Sequence, residues 1–200
     1  MTRIFRRGLA LAAVLAALSI PQAPPAWAHG KEAHAKPEPL PVDVGGPFAL
    51  IDQTGQPVTD RNFRGRYMLV FFGYAECQGI CSTGLRVMTE ALDLLGDEGT
   101  KVVPILITID PQHDTPEALA KAIAKVHPRL VGLTGPLEAL NAAAKAYKVS
   151  SKPVGYTLKG APILEHDAYI YLMGPDGKLL TVFPPILDPE KVAAGIRAYL

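Results

Sequence analysis

The sequence predicts a mixed α/β domain, a central sheet with helices on both faces, and three observations carry that prediction. Residues 67–73 (YMLVFFG) and 102–109 (VVPILITI) are continuous apolar runs of strand length, typical of strands buried on both sides. Helix-start and helix-stop signals alternate with those runs. Near the end, Gly174-Pro175-Asp176-Gly177 marks a tight turn between two short apolar stretches.

Each element follows in chain order. Residues 48–52 read as a short strand closed by a Thr54-Gly55 turn, and residues 67–73 as the first buried strand. Residues 82–95 place Leu85, Met88, Leu92 and Leu95 at helical spacing, and Gly96 ends that helix. Residues 102–109 form the second buried strand. In Asp114-Thr115-Pro116-Glu117, Thr115 is the expected cap and Pro116 lies in the first turn of a helix running to about Val126. A short strand at 130–133 and a helix at 136–147 come next, and residues 149–167 show no clear periodicity. Residues 168–173 and 178–182 flank the Gly-Pro-Asp-Gly turn as a hairpin, and Asp188-Pro189-Glu190 starts a last helix ending near Leu200. This order fits a thioredoxin-like fold with an N-terminal strand extension.

Composition narrows the function classes. With 200 residues, 48% hydrophobic, the chain supports one ordinary globular domain. Its 20 basic and 19 acidic residues give a net charge of +1, which argues against a nucleic-acid partner. The 18 Gly and 19 Pro are scattered without a repeat, so collagen-like and coiled-coil classes fail.

The first residues read as an address. Arg3, Arg6 and Arg7 precede the apolar run 8–20, no acidic residue occurs in 1–28, and Ala26-Trp27-Ala28 is a small-x-small cleavage pattern. Together they predict a signal peptide over residues 1–28. The run is 13 residues, short of the roughly 20 a spanning helix needs, so an uncleaved membrane anchor is the second reading. Residues 29–45 are then a polar, Pro-rich flexible leader, and 46–200 the folded domain. The mature chain is expected to be exported to the periplasm, monomeric, and without stable membrane insertion.

Cys77 and Cys81 lie between the first buried strand and its helix, at the sheet edge where α/β folds place their sites. With Cys81 in the first turn, the helix dipole would lower its thiol pKa. The pair has three readings: a structural disulfide, a redox pair, or a soft-metal clamp. A structural disulfide closing about five residues stabilises by only about 2 kcal/mol, little help to a domain with a full core. The metal reading needs a further ligand. Of the five histidines, His29 and His34 fall in the leader, His113 follows a strand end and His127 closes a helix. His166 precedes the hairpin strand that a thioredoxin-like topology lays beside the cysteine loop, so it is placed to complete a Cys2His site. His29, exposed as a new N-terminus, would offer at most a weak Cu(II) chelate, because wrapping a disordered leader around a metal costs ordering entropy.

These motifs resemble the Sco/SenC family of copper-binding proteins that assemble cytochrome c oxidase. The matching pieces are Phe72-Gly73-Tyr74 running into Cys77-x3-Cys81, then Thr108-Ile109-Asp110-Pro111 with Asp114-Thr115-Pro116. The third is His166-Asp167 ahead of Tyr171-Leu172 and Pro175-Asp176-Gly177. The similarity covers about residues 45–200. It implies a thioredoxin fold, Cys77, Cys81 and His166 as ligands of Cu(I) and Cu(II), and an orienting role for Asp110 and Asp114. One departure is Gln78, where the family usually has Pro after the first cysteine. Without that fixed φ the loop is expected to be less preorganised and the cysteines easier to oxidise.

The resemblance implies a copper metallochaperone, a binding protein and not a turnover enzyme. It would deliver one copper to the binuclear centre of cytochrome c oxidase subunit II or to another periplasmic copper acceptor. The alternative is a thiol–disulfide oxidoreductase that reduces the acceptor's cysteines before metal loading, using Cys77 and Cys81 alone.

Overall fold

The computed structural model describes residues 36–200 apart from Gln78 and Lys159. The expected signal peptide and residues 29–35 of the leader, with His29 and His34, therefore lie outside the described residues. The elements in order are β1 (Ala49–Asp52), β2 (Pro57–Thr59), β3 (Tyr67–Gly73), α1 (Ile80–Leu95), β4 (Val102–Thr108), α2 (Pro116–Ile123) and β5 (Val131–Thr134). They continue as α3 (Leu137–Ala146), β6 (Ser151–Tyr156), β7 (Pro162–His166), β8 (Ile170–Met173), β9 (Leu179–Phe183) and α4 (Pro189–Arg197).

Seven strands form one mixed sheet in the order β2-β1-β5-β4-β3-β8-β9. The pairs β3–β4 and β4–β5 are parallel, and the flanking pairs are antiparallel. The apolar runs of β3 and β4 occupy the middle because both their faces are covered. Side chains alternate across the sheet. Leu69, Phe71 and Leu106 join Met88 and Leu92 of α1, Leu119 of α2 and Ile196 of α4 on one face. Val70, Phe72, Ile105 and Ile107 join Leu140 and Ala143 of α3 with Tyr147 on the other.

The structure departs from the sequence expectation in a few places. Residues 149–167, expected to be irregular, contain β6 and β7, which pair as a separate two-stranded sheet. Pro153 and Gly155 sit inside β6 at a register irregularity, and every β6 residue but Gly155 is exposed, so no alternation marks it. β2 is a three-residue strand too short to read from its pattern. α1 begins two residues earlier than expected, and α2 closes at Ile123 instead of near Val126.

The β6–β7 hairpin is tied to the body at its base. Asp167 N donates to Ser150 O (3.1 Å), and Asp167 Oδ2 accepts from Ser150 N (2.9 Å) and Oγ (2.7 Å). These bonds hold the Asp167 carboxyl below its ordinary value. Ahead of β1, the Lys36 ammonium donates to the Tyr199 and Leu200 carbonyls beyond α4, and Gly45 N donates to Ala146 O. No helix among the described residues is long and apolar enough to cross a membrane.

Candidate metal centre

β3 ends at Gly73, and the chain turns through Cys77 into α1, so the cysteine loop leaves the carboxyl end of a strand buried from Met68 to Gly73. Asp114, from the loop after β4, holds this turn. Its carboxylate accepts from Ala75 N (3.0 Å) and from Thr108 Oγ1 (2.5 Å), and Thr108 Oγ1 in turn accepts from Asp110 N (2.9 Å). Burial pushes the Asp114 carboxyl up from its ordinary value, against the opposing pull of those two donors. Asp114 thereby links the cysteine loop to the end of β4.

Cys81 is the second residue of α1, where the helix dipole favours an anionic sulfur. Its side chain is 1% exposed, whereas Cys77 is only half-buried. The two sulfurs are joined as a disulfide. His166 closes β7 and points its Nε2 at Cys81 Sγ across 3.0 Å. On the far side of the ring, Nδ1 lies 2.9 Å from the Asp167 carbonyl. A carbonyl can only accept, so Nδ1 carries the proton and the Nε2 lone pair faces the sulfurs. One donor atom each from Cys77, Cys81 and His166 lies within 4.8 Å of the others.

Two aromatic residues that sequence reasoning left out of the site wall the imidazole. Phe71 and Tyr74 stand edge-on to it at 6.2 and 6.4 Å between ring centres. The Tyr74 hydroxyl also accepts from Leu164 N (3.3 Å), which fastens β7 to the cysteine loop. The signal was present: Phe71 and Tyr74 bracket the Phe72-Gly73 end of the apolar run leading to Cys77.

The SCO1/SenC family model matches residues 36–200, a span that contains all three donors. The chain belongs to the SCO1/SenC family. The mouse protein SCO1 homolog, mitochondrial, is 35% identical over 159 residues, covering 78% of this chain and 56% of that protein. This chain spans little more than half the length of that relative and of its human counterpart. The copper-bound structure of Bradyrhizobium japonicum ScoI superposes with a TM-score of 0.72 at 38% identity, covering 78% of this chain and 99% of that one. A structure of BsSco, described as a Sco-family cytochrome c oxidase assembly protein with a disulfide switch, gives a TM-score of 0.64 at 25% identity. It covers 82% of this chain and 96% of that one. These likenesses establish the thioredoxin-like fold.

Within this Sco/SenC chain the other two described histidines stand apart from the sulfurs. His113 Nδ1 pairs with Asp110 at 2.9 Å on an exposed turn, and that carboxylate raises the imidazole's pKa. His127 is engaged at both nitrogens, with Asp93 at 3.2 Å and the backbone N–H of Arg129 at 3.1 Å. Gln78, the departure from the family's usual Pro, lies outside the described residues. The donor set of two sulfurs and one imidazole suits a soft ion such as Cu(I), and reduction of the disulfide by two electrons supplies the two thiolates it needs.

Proposed function

We propose that this SCO1/SenC chain is an exported copper metallochaperone that holds one copper through Cys77, Cys81 and His166. Copper here is cargo. The observation that carries the reading is the convergence of two sulfurs and a pre-oriented Nε2 within 4.8 Å at the end of a buried strand. Three protein donors leave an open face on the ion, through which an acceptor's thiolates can enter by stepwise exchange. The acceptor is the binuclear copper centre of cytochrome c oxidase subunit II or another periplasmic copper protein. The basic, apolar and small-x-small segments of residues 1–28 support export, with 29–45 as leader and 46–200 as the working domain.

Anaerobic titration of the reduced chain tests this. One equivalent of copper should bind with sulfur-to-copper charge-transfer bands, and a Cys77→Ser, Cys81→Ser chain should bind none tightly. Stoichiometric binding by that double variant would sink the reading. A second reading, a thiol–disulfide oxidoreductase acting on the acceptor's cysteines, is favoured by the Cys77–Cys81 disulfide itself.

A further inference from the structure

We propose that the groove between the β6–β7 hairpin and the start of α1 is the docking surface for the copper acceptor, and that it takes an apolar, cysteine-bearing segment of that protein. The inference rests on the metallochaperone reading and names where the partner sits. Cys81 is sealed, so Cys77 is the sulfur an incoming ligand can approach. Cys77 lines a groove of about 410 Å³ together with Ile80 on one side and Pro162, Ile163 and Leu164 of the hairpin on the other. Glu76 is the one charged side chain among its described lining residues. The acceptor's sulfur must come within bonding distance of the metal beside Cys77, so its backbone has to lie in a groove that Cys77 borders.

Cys77 borders two grooves formed by described residues, and their chemistry separates them. The second, about 400 Å³ along α1 and α2, has an apolar floor that includes Leu85, Leu106 and Ile123, but five charged or titratable side chains, Arg86, Glu90, Asp93, Lys125 and His127, line it against the single Glu76 of the hairpin groove. The hairpin groove instead includes Ile80 and Ile163 in its lining, and the same hairpin carries further large apolar side chains that the fold leaves in solvent. Ile80, Val154, Tyr156, Leu158 and Ile163 are exposed, although a few residues away Leu164 packs on the core. An apolar cluster of this kind on a projecting arm marks a surface covered in a complex. The arm is also the element that carries His166, so a partner seated on it is continuous with the metal centre.

In the exchange, a copper–sulfur bond to the acceptor forms as the bond to Cys77 breaks. The acceptor thiol's proton passes to the released Cys77 sulfur, and the copper keeps its oxidation state.

The test follows copper leaving the loaded full chain for two acceptors: the soluble copper-binding domain of a cytochrome c oxidase subunit II, and dithiothreitol. Leu158→Asp and Ile163→Asp are solvent-exposed changes outside the donor set. They should slow transfer to the protein by about tenfold or more, as loss of an interface anchor does, and leave transfer to dithiothreitol unchanged. Equal slowing for both acceptors would mean the changes disturb the metal centre, and no slowing for either would mean the hairpin is not the docking surface. Slowing by Lys125→Glu alone would move the partner to the other groove. Wild-type transfer rates coupled with lost self-association, or with lost binding to phosphatidylglycerol vesicles, would assign the patch to a second copy or to a membrane. Each of those four outcomes overturns the proposal, and in the last three copper binding by the variants stays at the wild-type level. A wild-type chain that takes up no copper overturns the metallochaperone reading itself.

Discussion

The imidazole of His166 is held from both sides before any metal arrives, its Nδ1 donating to the Asp167 carbonyl and its faces walled by Phe71 and Tyr74. Preorganisation of this kind makes a third donor count, because little is spent on ordering it when the ion binds. His166→Ala should therefore weaken copper affinity by roughly 10–100-fold or more, the scale on which even supporting partners of a metal site act. Thiol–disulfide exchange at Cys77 and Cys81 should persist, since that chemistry runs through sulfur. Paired copper titrations and dithiol reduction kinetics on one variant separate the two functional readings; unchanged copper affinity would move the third ligand elsewhere. His113 offers a different test, because the neighbouring Asp110 raises its pKa above the ordinary 6.5. A group whose folded pKa is raised stabilises the fold fully below its unfolded pKa, and that contribution fades as pH climbs through the raised value. His113→Gln should thus be less stable than wild type near about pH 5.5, with the gap closing by about pH 8.5. Urea midpoints at the two pH values check this, and a constant gap would mean the contact acts without its charge.

Gly84 shows how one element's sequence serves the site on another. It lies where α1 crosses β3, and a Cβ there would stand 2.8 Å from Phe71 Cε2 and 3.2 Å from Pro185 Cβ. Glycine in mid-helix ordinarily costs about 1 kcal/mol relative to alanine, so Gly84→Ala should stabilise an unconstrained helix. Here overpacking, about 1–3 kcal/mol, wins. The variant should be less stable in denaturant, and the displaced Phe71 ring should shift the His166 ring resonances. A neutral or stabilising result would mean the crossing is looser than the structure has it. Elements like β3 and β4 were readable because burial on both faces writes an uninterrupted apolar run. The start of α1 was misread by two residues because Gly79 offers no capping side chain, and Ser82 and Thr83 turn their hydroxyls back to the Gly79 carbonyl instead. β6 and β7 were illegible for a related reason. β6 is exposed at all but Gly155, so no period of two is imposed on it, and β7, which does alternate in burial, carries apolar Ile163 on its outer side and polar His166 on its inner side, so its sequence does not show the alternation. His166 could be chosen because topology brings its strand to the cysteine loop, whereas Phe71 reads as part of the buried strand and Tyr74 as part of the motif leading to Cys77, with nothing in either to show contact with the imidazole.

At the scale of the whole molecule, redox state and cargo act on one folding equilibrium. The oxidised chain carries a short-loop disulfide between the sulfurs that the metal reading requires as thiolates. An ion that binds only the folded, reduced chain stabilises it by mass action, about 2.7 kcal/mol when free copper is 100 times the dissociation constant. For a domain of this size each kcal/mol moves the unfolding midpoint by about 2–4 °C, so saturating Cu(I) should raise Tm by roughly 5–10 °C. The same addition to the oxidised chain should give a far smaller shift, because an imidazole alone is a poor anchor for a soft ion. Reduction without copper moves Tm the other way by about 4–8 °C, since a five-residue loop contributes about 2 kcal/mol. Calorimetry on four samples, oxidised and reduced, each with and without copper under anaerobic conditions, reads all of these differences. The decisive number is the copper shift of the reduced chain minus that of the oxidised one. Should both shifts be equal, the stabilising ion would be sitting on donors other than Cys77 and Cys81. A large difference that disappears in Cys77→Ser would tie the cargo, the disulfide and the fold to the same two sulfurs.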